Sequence, residues 1–247
     1  MSWLDGPMVG FDTETTGVST TTDRIVTAAL IRREGERVET RTWLIDPGVE
    51  IPARATEVHG ITTEQARAEG VPPEGALEEI AAALAEALTA SVPVVGFNVQ
   101  YDLSILDAEL SRHGLPTLGQ RLPGGVRPVV DPLVLDRHLD KYRKGPRKLI
   151  DMCHIYVVPV DADSLHAADA DVLATLDLVH AIADRYPTVG QTDLPALHDQ
   201  QAEAHRVWAV RFGAWLKSKG TIDDLPRPDW PVPIEASEAA QDNDALF

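Results

Sequence analysis

Two acids, Asp12 and Glu14, flank a threonine in the run FDTETTG (11–17). Residues two apart in an extended strand project from the same face. Like charges held side by side there repel, and are costly where water is partly excluded. Two readings fit. A divalent cation neutralises the pair, or Asp12 opens a solvated turn while Glu14 caps the Thr-Thr-Gly loop. Two further acids bear on the choice. Asp102 follows VVGFN (94–98), where a β-to-α junction would bring it to the carboxyl end of a sheet. Asp171 lies near the start of a helical run, five positions after His166. Five positions of continuous helix turn about 500°, so the two side chains would diverge by about 140°. If both serve one site, His166 belongs to the loop before that helix, and the polar run DADS (161–164) suits such a loop.

The elements that would carry these residues are legible in outline. The stretch 9–14 reads as a strand, and 24–33 and 38–45 as a hairpin around Glu34-Gly35-Glu36. Residues 55–70 read as short helices, with Thr62 or Thr63 as N-cap. Leu77, Ile80, Leu84 and Leu88 recur at helical spacing, as do Leu103, Leu106 and Leu110. Residues 93–97 and 128–131 read as short strands, with helices expected near 133–140, 169–185 and 195–218. The last carries Leu197, Ala204, Trp208, Phe212, Trp215 and Leu216 in a stripe, read as core packing or a docking face rather than a platform for bases. This order predicts an α/β fold, a mixed sheet opened by an antiparallel hairpin and flanked by helices. From 220 onward prolines and acids replace periodicity, which reads as a tail.

Composition narrows the function classes. The chain has 247 residues, 44% of them hydrophobic, and a formal net charge of −17. No apolar run reaches the length of a membrane span. The opening residues lack a signal-peptide pattern, and a single Cys, Cys153, leaves no internal disulfide or cysteine-rich zinc cage. A reducing cytoplasm fits best. Phosphate attraction over the whole surface is excluded, because it needs Lys and Arg facing the strand. The excess acid reads either as a solvated surface that aids solubility or as carboxylates gathered to hold cations.

FDTETTG (11–17), FNVQYD (97–102) and HAADAD (166–171) together resemble the three exonuclease motifs of the DEDDh family, which includes the DnaQ-like epsilon proofreading subunits, RNase T and oligoribonuclease. The His-x4-Asp spacing resembles the "h" branch, since the alternative branch would want Tyr at 167, which is Ala. VHGIT (58–62) resembles a nucleotide-pocket segment of the epsilon-like members, with Arg54 where some of them carry Glu. The resemblance covers roughly residues 8–187. It implies an RNase H-like fold with a mixed five-stranded sheet, and two Mg²⁺ or Mn²⁺ ions held by Asp12, Glu14, Asp102 and Asp171. An acid-only ligand set suits such hard cations. His166 would be the general base. Thr15 and His59 would meet the terminal nucleotide. Tyr101 either packs or stacks on a base, and Asn98 either orients the phosphate or completes a turn.

Six basic residues, Arg137, Lys141, Arg143, Lys144, Arg147 and Lys148, fall within twelve positions. They read as a phosphate-tracking patch, against the alternative of a solvated helix end. The segment 221–247 carries seven acids and one Arg. Its end, NDALF (243–247), resembles a sliding-clamp-binding peptide with Asn243 in place of the usual Gln, against the simpler reading of an incidental end. The expected organisation is an exonuclease domain over 1–190, a C-terminal helix over 191–220 and a Pro- and acid-rich tail over 221–247. The expected activity is metal-dependent 3′→5′ hydrolysis of DNA ends to nucleoside 5′-monophosphates, in repair or proofreading. Its rivals are a 3′→5′ exoribonuclease, a non-catalytic nucleic-acid or clamp adaptor of the same fold, and a small-molecule metal phosphatase.

Overall fold

The computed structural model describes residues 2–160, 167–221 and 225–232. Three strands open the chain: β1 (Met8–Thr15), β2 (Ile25–Glu34) and β3 (Arg37–Leu44). They form an antiparallel meander, with β1 opposite β2 and β2 opposite β3. Two short strands, β4 (Val94–Val95) and β5 (Val129–Val130), add in parallel beyond β1, giving the order β3-β2-β1-β4-β5. The expected mixed five-stranded sheet is therefore present. β3, at one edge, is exposed and charged, as suits an edge strand.

The core lies on both faces of β1. Val9 and Phe11 pack with α3 (Pro73–Thr89) and α4 (Val99–Arg112). Met8 packs with α7 (Leu149–Tyr156) and α8 (Ala168–Arg185) on the opposite face. Leu77, Ile80, Leu84 and Leu88 of α3 are buried as their spacing predicts, and so are Leu103, Leu106 and Leu110 of α4. Full burial of each such side chain contributes about 2 kcal/mol. Between β3 and α3 stand α1 (Ala53–His59) and α2 (Thr63–Glu69). Thr62 caps α2 by accepting from Gln65 N, while Thr63 is buried and its hydroxyl accepts from Ile51 N.

Several elements differ from the sequence reading. The short α5 (Leu118–Arg121) and α9 (Thr188–Gln191) and the longer α7 were not anticipated. α7 buries Met152, Cys153 and Tyr156, but its eight residues are too few for a clear period. α6 (Pro132–Leu139) starts at Asp131, which caps it and is not a strand residue. α10 (Leu194–Ser218) buries Leu197, His198, Gln201, His205, Ala209 and Gly213 rather than the aromatic stripe. Polar side chains occupy that face because α10 covers the open edge of β5. Val129 N donates to His198 Nδ1, Asp131 N donates to Gln201 Oε1, and Gln201 Nε2 donates to Val129 O. Backbone groups of an edge strand need partners when water is excluded, so hydrogen-bonding residues belong there.

The segment 225–232 is also more than a solvated tail. Trp230 is buried with its ring 5.0 Å from that of His198. The Gln100 amide donates to Asp229 O, and His205 Nε2 meets Arg227 O at 2.8 Å. The NDALF segment and His166 lie outside the described residues. Among the described residues, no helix is long and apolar enough to cross a membrane.

Candidate active site

β1 alternates as its pleat requires. Asp12 and Glu14 leave the face that α8 covers, while Thr13 between them points toward α4. The helix comes close because Gly10 has no side chain: a Cβ there would stand 2.3 Å from Val172 Cγ1. That approach brings Asp171, in the first turn of α8, to the two strand acids. The ligand oxygens of Asp12, Glu14 and Asp171 lie within 4.8 Å of one another. The pairing of β1 with β2 shifts register between Glu14 and Thr15, and such an irregularity re-aims a side chain at a strand end.

Asp102 enters from the other side. In the first turn of α4 and almost fully buried, it takes the Thr13 backbone N–H at 3.1 Å and the Thr13 hydroxyl at 2.7 Å on Oδ1. It raises the pKa of Asp12 and of Glu14, but it stands outside the three-acid group. The four acids therefore converge electrostatically, three of them within bridging distance of one cation. Thr13, which the sequence reading passed over, holds the fourth.

The charges oppose one another. Burial, then Asp102, Glu14 and Asp171 in turn, push the Asp12 carboxyl well above the usual carboxylate range. Burial, then Asp171 and Asp102, push Glu14 up to about 8. Burial raises Asp102 to about 7, against the opposing pull of the Thr13 hydrogen bonds. Acids so placed favour their protonated forms unless a cation offsets the repulsion. Oxygen donors in this number and proximity fit a hard divalent cation.

The residues around the acids are tied to one another. The Tyr101 hydroxyl lies 2.8 Å from Thr15 Oγ1 and 2.5 Å from Gly17 O, and burial raises it to about 12. Thr15 Oγ1 also donates to Gly17 O. His59 accepts the Ile61 N–H on Nδ1, and its Nε2 is buried beside the Thr15 backbone. Burial lowers the ring's pKa, favouring the neutral form. Asn98 adopts φ 59 and ψ 38, a left-handed conformation that Asn tolerates. It completes the turn into α4, with its side chain making no cap.

Asp131 is the residue that sequence reasoning missed here. It is buried and receives the backbone N–H groups of Asn98, Val99 and Leu133. One carboxylate thus joins the start of α4, which carries Asp102, to the start of α6. Burial raises its pKa to about 6. The signal was a lone Asp-Pro after a short apolar strand, a helix-start pattern.

The basic run divides into two groups. Arg143 Nη2 and Arg147 Nε both bind Asp136 Oδ2, at 2.9 and 2.5 Å, and the Tyr156 hydroxyl donates to Asp136 Oδ1. Asp136 is fully buried, so these two arginines are its counterions and not free phosphate contacts. Lys141, Lys144 and Lys148 are exposed. Arg137 lies 3.8 Å over the Trp208 ring.

A mixed sheet with an antiparallel meander thus carries converging acids at one end. The family described as Exonuclease, of RNase T type, matches residues 9–179, and the chain belongs to it, in the DnaQ-like 3′–5′ class. A PolC-type DNA polymerase III of Lacticaseibacillus paracasei is 29% identical over 206 residues, 82% of this chain and 13% of that protein. The corresponding Streptococcus sanguinis protein is 31% identical over 172 residues, 66% of this chain and 11% of its own length. The chain therefore spans only a small part of these relatives. Among solved structures, E. coli Exonuclease I in complex with a dA16 oligonucleotide is similar in fold, with a TM-score of 0.61 at 22% identity over 81% of this chain and 44% of that one. Exonuclease I of Methylocaldum szegediense gives a TM-score of 0.59 at 22% identity, over 85% of this chain and 46% of that one.

Proposed function

We propose that the chain hydrolyses DNA from the 3′ end, releasing nucleoside 5′-monophosphates, in proofreading or repair in the cytoplasm. The observation that carries this is the meeting of Asp12, Glu14 and Asp171 within 4.8 Å, with Asp102 buried beside them. Asp12, Glu14, Asp102 and Asp171 would hold two Mg²⁺ or Mn²⁺ ions. When bound, these ions supply positive charge that favours hydroxide over water and stabilises a departing alkoxide. His166, two residues before Ala168 in sequence, would take the proton of the attacking water. The water oxygen bonds to phosphorus as the P–O3′ bond breaks, and the shortened strand regains a 3′-hydroxyl. Thr15 and His59 hold the terminal nucleotide, Tyr101 walls the pocket, and Asn98 sets the turn that presents Asp102. Lys141, Lys144 and Lys148 guide the backbone. DNA is favoured over RNA because the relatives in sequence are DNA polymerases. Residues 243–247 would bind a sliding clamp, and their deletion should abolish clamp affinity.

The test uses 5′- and 3′-labelled DNA and RNA oligonucleotides of matched sequence. With Mg²⁺, 3′-label should leave as a mononucleotide and 5′-label as a shrinking ladder, faster for DNA. Equal or faster cleavage of RNA transfers the reading to an exoribonuclease. Activity that survives EDTA, or that survives Asp12→Ala, overturns the mechanism.

A further inference from the structure

We propose that the groove between α6 and α10, lined on its α10 side by residues beyond the exonuclease family segment, is a second binding site for single-stranded nucleic acid, past the edge that carries the acids. The proposal rests on the exonuclease reading above. β1, β4 and β5 run parallel, so Asp12, Glu14 and Asp131 share one edge of the sheet. Along α10, His198 bonds Val129 and Gln201 bonds Asp131, so the helix advances in the same sense as β5. Trp208, Phe212 and Trp215 follow Gln201 by seven to fourteen residues. At 1.5 Å per residue they lie roughly 10 to 21 Å further along the helix.

These rings form a ladder. Trp208 and Phe212 have centroids 5.4 Å apart and planes 20° apart, and Phe212 and Trp215 are 5.5 Å and 13° apart. The Arg137 guanidinium closes the Trp208 end. Phe212 remains 38% exposed and Trp215 53% exposed, so the far end is open to a flat partner. The sequence reading of this stripe as packing or a docking face is revised, because exposed rings of this kind stack on any base, every base having a π-face.

The groove beside the ladder encloses about 970 Å³. Arg137, Lys141 and Arg211 line it, and none of the three has a carboxylate partner among the described ion pairs. Its acids are already engaged. Asp199 pairs with Arg127 at 2.9 Å, and Glu203 with Arg206 at 2.7 Å. In a chain of net charge −17, Lys141 and Arg211 beside exposed rings, with Arg137 stacked on Trp208, are a local exception. An acidic peptide would meet the cations and leave the open face of Trp215 without a flat partner. A single strand of nucleic acid answers both, its phosphates on the cations and its bases on the rings.

The test measures binding of 5′-fluorescein dT4 and dT20 to the full chain carrying Asp12→Ala, which prevents hydrolysis. With the groove in use, dT20 binds at least about tenfold more tightly than dT4. Trp215→Ala, a substitution of an exposed ring, weakens dT20 by about tenfold and changes dT4 by less than twofold. Arg211→Ala also weakens dT20 and makes its log affinity against log salt shallower by about 0.7. Equal affinity for the two lengths, or dT20 binding that both substitutions leave intact, overturns the proposal and assigns the face to a protein partner instead. Hydrolysis of dT4 by the chain with Asp12 intact separates the two readings. No hydrolysis with Mg²⁺ or Mn²⁺ defeats the exonuclease assignment, whereas hydrolysis without any length effect on binding defeats the groove alone.

Discussion

Two groups of carboxylate, one fully buried and one half-buried, stand on opposite terms. Asp136 is fully buried and has its compensation built in, from Arg143, Arg147 and the Tyr156 hydroxyl. Asp12, Glu14 and Asp171 are surrounded by one another and by Asp102, and burial and repulsion drive the pKa of Asp12 and Glu14 upward. The first group closes on itself and fixes the loop after α6. The second gathers acids that repel one another, an arrangement that suits a divalent cation. A buried charge whose counterion is a neighbouring side chain serves the fold, and a cluster of mutually repelling acids is a candidate for chemistry.

The sharpest way to break this contrast is Asp12→Asn, which keeps the shape and removes the charge. Exonuclease activity should fall by about 10⁴-fold, near 5 kcal/mol of transition-state stabilisation. The same substitution should leave metal-free stability in urea unchanged or raised, because a repulsion is gone. The mirror experiment is Asp136→Ala. It strands two guanidinium groups, and urea unfolding should show a loss of about 3–5 kcal/mol.

Metal and pH sharpen the contrast further. The folded value for Glu14 is about 8, above its ordinary 4.5. The folded, metal-free chain therefore holds a proton that the unfolded chain has released, and its stability falls as pH rises from 4.5 toward 8. A divalent cation removes that cost. Saturating Mg²⁺ should raise the melting temperature, more at pH 8 than at pH 6, and EDTA should reverse it. At a concentration 100 times Kd the gain is about 2.7 kcal/mol. A flat pH dependence of this gain would separate Glu14 from the cation. The smallest effect is expected from Gly10→Ala. Its Cβ would press on Val172, move α8 away from β1 and cost about 1–3 kcal/mol in thermal unfolding. Activity should fall by more than that loss of folded protein explains, since Asp171 moves with α8.

Much of the site was legible because its logic is local. The period of two put Asp12 and Glu14 on one face, and the β-to-α junction put Asp102 at a helix start. The apolar spacings of α3 and α4 announced the helices that back β1. The basic run misled because charge on a sequence carries no direction. Arg143 and Arg147 turn inward to Asp136, a partner several positions upstream. The face of α10 misled because His198, Gln201 and His205 are buried for their hydrogen bonds to other backbone segments, which hydropathy does not register. Trp230 stood in a proline-rich stretch without periodicity, yet it packs against His198.

The sequence by itself determined the class of chemistry, the sheet with its antiparallel opening, and which strand and helices carry the acids. Those follow from side-chain type and the periods of strand and helix, which neighbouring residues specify. Tertiary structure alone decided which charges meet. It brought α8 onto Gly10 so that Asp171 reaches β1, turned Asp102 onto Thr13, and gave Asp131 the start of α4 to hold. It also sent two arginines inward and left the ladder of α10 in solvent. Electrostatic and hydrogen-bond energies depend on distance and on the exclusion of water, and both are set by chain segments far apart in sequence.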